Sequence, residues 1–179
     1  FLRIDRAETQ FPPDINPYDQ KVYEKARDTL QAMINEGIFI KEGQKCYYIY
    51  ELTMNGRSQT GIVGCAAIDD YLKGAIKKHE KTREDKEIDR INHVDICDAQ
   101  TGPIFLAYRS QRVINEVVRT AKNKDQLYDF TAPDGVRHQV WKMDDPRMIA
   151  AVCAEFAKVE SVYIADGHHR TASAVKVGL

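Results

Sequence analysis

No Cys-x-x-Cys pair occurs among Cys46, Cys65, Cys97 and Cys153, and their wide spacing indicates neither a zinc knuckle nor a disulfide framework. Four reduced, mostly buried thiols in a cytoplasmic protein are expected instead. Charge of one sign is missing as well. The 26 basic side chains stand against 27 acidic ones, a net charge of -1, so no strong field for nucleic acid or an anionic membrane surface arises. No apolar run approaches the roughly 18 residues needed to cross a bilayer, so a soluble protein without a membrane partner is expected. The chain also lacks internal repeats, low-complexity stretches and a dividing linker. At 179 residues, one domain around one core is the expectation. The glycines of Thr60-Gly61-Ile62-Val63-Gly64 are too sparse for a phosphate loop, and the terminal Lys-Ser/Thr is absent. That stretch reads as a strand with close backbone packing.

What is present alternates between helix and strand patterns. Phe1-Leu2-Arg3-Ile4 reads as the inside of a strand. Asn16-Pro17 followed by Asp19 marks a helix start, Val22, Ala26, Leu30, Met33 and Ile34 recur at helical spacing, and Gly37 stops the run. Ile38-Phe39-Ile40 and residues 46–52 read as strands, and Asn55-Gly56 supplies a hairpin turn to a partner strand at 60–68. Residues 69–90 form a dense charge run that a solvated helix explains. A strand at 103–108 and a helix from Ser110 follow, with Val113, Ile114, Val117, Val118 and Ala121 on one stripe. A second hairpin joins 127–130 to 136–143 through Pro133-Asp134-Gly135. Pro146 opens a helix with Ile149, Val152, Cys153 and Phe156 inward. A last strand from Val162 leads into a final helix of barely two turns, and a chain with these two ends is expected to be part of a longer protein. Residues 1–68 thus read as helix plus antiparallel strands, and residues 69–179 as the region carrying the chemistry.

The chemistry concentrates in Asp166-Gly167-His168-His169-Arg170, which runs from the strand Val162-Tyr163-Ile164-Ala165 into a helical pattern over 171–177. An acid and a glycine at a strand end, then two imidazoles and a guanidinium at a helix start, set free N–H groups and the positive helix end beside one base and one permanent cation. Such a corner suits phosphate or another anion. A purely structural reading makes Asp166 an N-cap, Gly167 a tight turn and Arg170 the partner of a surface acid. It does not account for two adjacent histidines, which point about 100° apart on a helix and cannot share one small structural role. With no second carboxylate or histidine at i, i+4, no metal ligand is assigned from this motif. A magnesium ion arriving with a nucleotide is easier to accommodate.

His79-Glu80, with Thr82, Lys86, Asp89 and Arg90, is a second constellation. Alone it is a solvated charged face, but it offers a carboxylate able to take a hydroxyl proton beside cations able to hold phosphate oxygens. Trp141, after His138, reads as half-buried in its hairpin, with base stacking the alternative. His93 reads as an ordinary surface or satisfied core residue.

Lys78-His79-Glu80-Lys81-Thr82, Asp89-Arg90, His138-Gln139-Val140-Trp141 and Tyr163 through Arg170 resemble signatures of the domain of unknown function 1015 family, and the likeness runs over essentially the whole chain. Members of that family are about twice as long, and the family name confers no function. More distantly, the Asp-Gly-His-His-Arg corner before an alanine-rich helix resembles the nucleotide-binding motif of the ParB and sulfiredoxin superfamily. That superfamily includes cytidine-nucleotide-binding ParB clamps, ATP-using sulfiredoxins and ADP-using free-serine kinases. The likeness implies an α/β fold with a mixed α+β sheet: a ParB/sulfiredoxin-like core with added β-hairpins and flanking helices. It also implies that Asp166, Gly167, His168, His169, Arg170 and Thr171 line the phosphate and substrate site, with His79, Thr82 and Arg90 alongside. Glu80, Asp166 and His168 become the catalytic candidates. The cysteine that sulfiredoxins carry inside the motif is absent, which argues against sulfinic acid repair. The basic helix-turn-helix expected of a ParB DNA binder is absent too.

These readings converge on a cytoplasmic protein that binds ADP or ATP with Mg2+ and phosphorylates a small hydroxylated metabolite. The alternative is a non-catalytic, nucleotide-responsive regulatory module. A nuclease-like hydrolase is disfavoured by the neutral charge.

Overall fold

A computed structural model describes residues 1–179 and contains seven α-helices and two sheets, a mixed α/β fold. In chain order the elements are α1 (Leu2–Asp5), a 3-10 turn (Ala7–Gln10), α2 (Gln20–Asn35), β1 (Tyr47–Met54), β2 (Arg57–Val63), α3 (Ile68–Leu72) and β3 (Ile76–Lys77). They continue with α4 (Glu84–Cys97), β4 (Phe105–Ala107), α5 (Arg112–Ala121), β5 (Tyr128–Thr131), β6 (Arg137–Met143), α6 (Pro146–Phe156), β7 (Val162–Asp166) and α7 (His168–Val177). No helix is long and apolar enough to cross a membrane.

The chain forms two compact units where one core was expected. Unit 1 gathers Phe1–Lys41, Ala67–Ala107 and Ser161–Leu179, and unit 2 gathers Glu42–Ala66 and Tyr108–Glu160. Each has its own apolar cluster. In unit 1, Ile4, Ala7, Val22, Ala26 and Cys97 pack together. In unit 2, Ile49, Ala121, Trp141, Met143 and Val152 do so.

Unit 2 is built on a four-stranded antiparallel sheet of order β2-β1-β6-β5. The first hairpin turns through Asn55 and Gly56, at φ 51° and 76°, the paired positive values of the turn whose twist matches that of the strands. The second turns at Gly135, with Asp134 Oδ1 accepting the Val136 N–H at 3.0 Å. Asp145 caps α6 by accepting the Arg147 N–H at 2.8 Å, and Pro146 occupies the first turn. Trp141 is buried, not half-buried, which leaves no free face for base stacking. Gly61 lies in open space on the edge strand, and only Gly64 is closely packed, against the Tyr47 ring.

Unit 1 holds a three-stranded sheet of order β3-β7-β4, with β7 parallel to β3 and antiparallel to β4. Several expectations fail in this unit for want of partners. Residues 1–4 form no strand, because α1 turns Ile4 into the cluster with α2 and the 3-10 turn. Residues 38–40 form none either: after Gly37 at φ 72° the N–H groups of Ile38 and Phe39 return to the Met33 carbonyl and close the end of α2. Helix α2 starts at Gln20, capped by Asp19, while Asn16 Oδ1 accepts the Tyr18 N–H before it. The charge run divides into α3, β3, a loop and α4, because Ile76-Lys77 finds a sheet partner in Val162-Tyr163. Of the four free cysteines only Cys97 is buried; Cys65 and Cys153 are exposed and Cys46 is intermediate. Cys153 lies beside buried Val152 on α6, with its Sγ 3.3 Å from the Tyr47 hydroxyl.

Candidate functional site

Parallel pairing of β3 with β7 brings their carboxyl ends to one edge of the unit 1 sheet. The loop 78–83 leaves β3 there and Gly167 leaves β7 beside it. Phe105, where β4 begins, pairs with Asp166, so the segment before β4 reaches the same edge. Crevices at the carboxyl ends of strands are where open α/β sheets place ligands. Ile164 anchors this arrangement at 1% exposure in the central strand.

Gly167 carries the turn into α7 at φ 91°, a value that L side chains avoid. It is also the N-cap of α7 and supplies no side-chain acceptor. Asp166 is therefore not the cap: its carboxylate points to Arg170, whose Nη2 donates to Asp166 Oδ2 at 2.8 Å. Arg170 Nη1 donates to the Pro103 carbonyl. The guanidinium lies against two glycines, and a Cβ on Gly102 would stand 3.0 Å from Arg170 Cδ while one on Gly167 would stand 3.3 Å from its Nε. Gln100 Nε2 donates to the Gly102 carbonyl at 2.8 Å and holds that loop. Thr171 is buried, and its hydroxyl donates to the Gly167 carbonyl at 3.0 Å.

The two histidines divide their work, as neighbouring helical residues must. His169 Nε2 accepts the backbone N–H of Arg83 at 3.0 Å and ties the β3–α4 loop to α7. His168 is buried, with its Nδ1 3.1 Å from Glu80 Oε1. The His79 ring meets it edge-on, with centroids 4.4 Å apart and planes at 84°. One ligand atom from each of His79, Glu80 and His168 lies within 4.8 Å of the others. His79 and Glu80 are exposed, so the cluster opens to solvent on one side.

Below this mouth, the Glu87 carboxylate accepts from Thr82 Oγ1 at 2.6 Å and pairs with Lys176 of α7. Lys176, and then Thr82, hold the Glu87 carboxyl below the usual carboxylate range. Arg90 is engaged elsewhere: it bonds Asp89 at 2.9 Å and Asp5 at 3.4 Å. Asp89 also accepts from the Tyr23 hydroxyl at 2.9 Å. Burial, then this hydrogen bond, pushes the Tyr23 hydroxyl up to about 12.

Of the residues the sequence singles out, His79, Glu80 and His168 form one cluster and Asp166, Gly167 and Arg170 a second at the same turn. His169, Thr82 and Thr171 hold the frame. Arg90 stands in a separate ion-pair network. Sequence reasoning missed the Gln100 to Pro103 loop, though Gly102-Pro103 is a turn signal, and it missed the Glu87–Lys176 pair, which no local pattern marks. In chemical terms the edge offers an uncapped helix start, one cation, a carboxylate–imidazole pair and an exposed acid.

A mixed sheet with a chemically dense strand-to-helix turn defines an α/β protein with a candidate site at the carboxyl edge of its strands. A family model described as Protein of unknown function (DUF1015) matches residues 1–179, and the chain belongs to that family. Among the curated proteins and among the solved structures, nothing matches it significantly.

Proposed function

We propose that this protein binds ADP or ATP with Mg2+ and transfers a phosphoryl group to a small hydroxylated metabolite, using the turn from β7 to α7 as a ParB/sulfiredoxin-like nucleotide site. The observation that carries this reading is the uncapped start of the ten-residue helix α7. Its first N–H groups have no side-chain acceptor, and an anion supplies what a cap would. Arg170 stands at that turn with donors beyond those given to Asp166 and Pro103. The exposed carboxylates of Glu80 and Asp166 are hard oxygen ligands of the kind that Mg2+ bound to phosphates accepts.

Catalysis here is positioning and charge stabilisation. The start of α7 and Arg170 hold the phosphate oxygens. Glu80 or Asp166 takes the proton of the acceptor hydroxyl as its oxygen bonds to the terminal phosphorus, and the bond from that phosphorus to the nucleotide breaks, leaving the shorter nucleotide. His168 orients Glu80 through their 3.1 Å contact. The reading includes a cytoplasmic setting, in keeping with four unpaired thiols. A second reading is a non-catalytic, nucleotide-responsive module. It is favoured by the existing contacts of Arg170, since an anion that draws the guanidinium away releases both Asp166 and the loop at Pro103.

Thermal unfolding against a panel of nucleotides with Mg2+ tests the proposal. A ligand at 100 times its Kd adds about 2.7 kcal/mol, and a shift with ADP or ATP that Arg170→Ala abolishes is expected. No shift with any nucleotide sinks both readings. A shift without phosphorylated product across a panel of hydroxylated metabolites leaves the regulatory module.

A further inference from the structure

We infer that His79, Glu80 and His168 form a binding site for a divalent transition-metal ion such as Zn2+, independent of any nucleotide. Two imidazoles and one carboxylate are a donor set that such ions accept, and three protein ligands leave a coordination position for water or substrate. The three ligand atoms lie within 4.8 Å of one another. Ligand bonds of about 2.0–2.2 Å bring donors on a tetrahedral ion to about 3.3 Å apart, so the set must contract by roughly an ångström or more. His79 and Glu80 are exposed on the loop 78–83 and are free to make that movement, while His168 is fixed in the first turn of α7.

His168 supplies the fixed ligand. Its side chain is 4% exposed, yet Nε2 has no hydrogen-bond partner. The other nitrogen, Nδ1, faces Glu80 Oε1 at 3.1 Å. An ion shared with Glu80 therefore meets His168 at Nδ1, because Nε2 leaves the opposite side of the ring. The edge-on His79 ring sets a second imidazole against it. Two soft-to-borderline nitrogen donors favour Zn2+, Co2+ or Ni2+ over Mg2+, which takes oxygen. When the ion is bound, Glu80 is a ligand and the proton-accepting role in the proposed transfer falls to Asp166.

The test is titration of the chelator-stripped full chain with Co2+ in the absence of nucleotide, followed by visible absorption. One Co2+ per chain is expected, with the intensified d–d bands of a low-coordinate ion, displaced by Zn2+ and not by excess Mg2+. His168→Gln and His79→Gln should each weaken binding by about tenfold or more, while His138→Gln in unit 2 leaves it unchanged. His79 is exposed, so its variant keeps the test sound if His168→Gln fails to fold. Absence of low-coordinate bands, retention of binding in both variants, displacement by Mg2+, or a sulfur-to-cobalt charge-transfer band would each overturn the site. Nucleotide shifts measured on the stripped protein are a separate readout, so either proposal can fail while the other stands.

Discussion

Gly167 meets two demands at one position, a backbone at φ 91° and the close approach of the Arg170 guanidinium. Alanine there meets both penalties. The left-handed conformation alone costs about 1–3 kcal/mol, and the added methyl would stand 3.3 Å from Arg170 Nε, so the guanidinium must give way by a few tenths of an ångström. Denaturant unfolding of Gly167→Ala should therefore show a loss of about that size, with any nucleotide-induced stabilisation lost as well. Gly102 separates the two effects, because its φ is ordinary and only the arginine contact is at stake. Gly102→Ala should lower ligand response more than stability, and an equal loss of both would argue against a role for the guanidinium pose.

At the level of elements, the site depends on β7 as the middle strand. Ile164→Ala removes a side chain at 1% exposure and should cost about 2–5 kcal/mol in unfolding experiments. The α4–α7 contact carries a pH signature. Lys176 and Thr82 depress the Glu87 carboxyl, so this pair stabilises the fold above the ordinary carboxylate value of 4.5 and loses that contribution as pH falls through the lowered one. Glu87→Gln should be less stable than the parent at neutral pH. Its stability should also fall less between about pH 5 and pH 3, and parallel curves would show that the pair contributes nothing.

The elements legible in the sequence are those whose cause is local. Asp145-Pro146 announces α6, Asn55-Gly56 and Pro133-Asp134-Gly135 announce the hairpins, and Val162 through Arg170 announces the strand-to-helix turn. Elements with distant causes were not legible. Ile76-Lys77 is a strand only because Val162-Tyr163 lies beside it, and Ile38-Phe39-Ile40 is not one because no strand does. The site was half legible for the same reason: the His168 and His79-Glu80 motifs each stand out, but their meeting follows from parallel pairing across more than eighty residues. Burial of Glu87 inside a charge run was hidden because its partners come from loop 78–83 and from α7.

For the whole molecule, the two units carry separable reporters. The single tryptophan, Trp141, sits in the apolar cluster of unit 2, whereas every group of the candidate site belongs to unit 1. If the units melt independently, Trp141 emission should follow a transition that metal or nucleotide leaves in place, while a probe near His168 follows one that moves. Coincident shifts in both would show that the units unfold as one.

The central place of β7 also bears on synthesis. β3 and β4 are made first, yet each pairs only with β7, so neither has a neighbour until Val162–Asp166 leaves the ribosome. Until then unit 1 presents two unpaired strand edges, the kind of surface that invites wrong partners. The same five residues that complete the sheet also lead into the histidine pair, so unit 1 gains its sheet and its candidate site in one step.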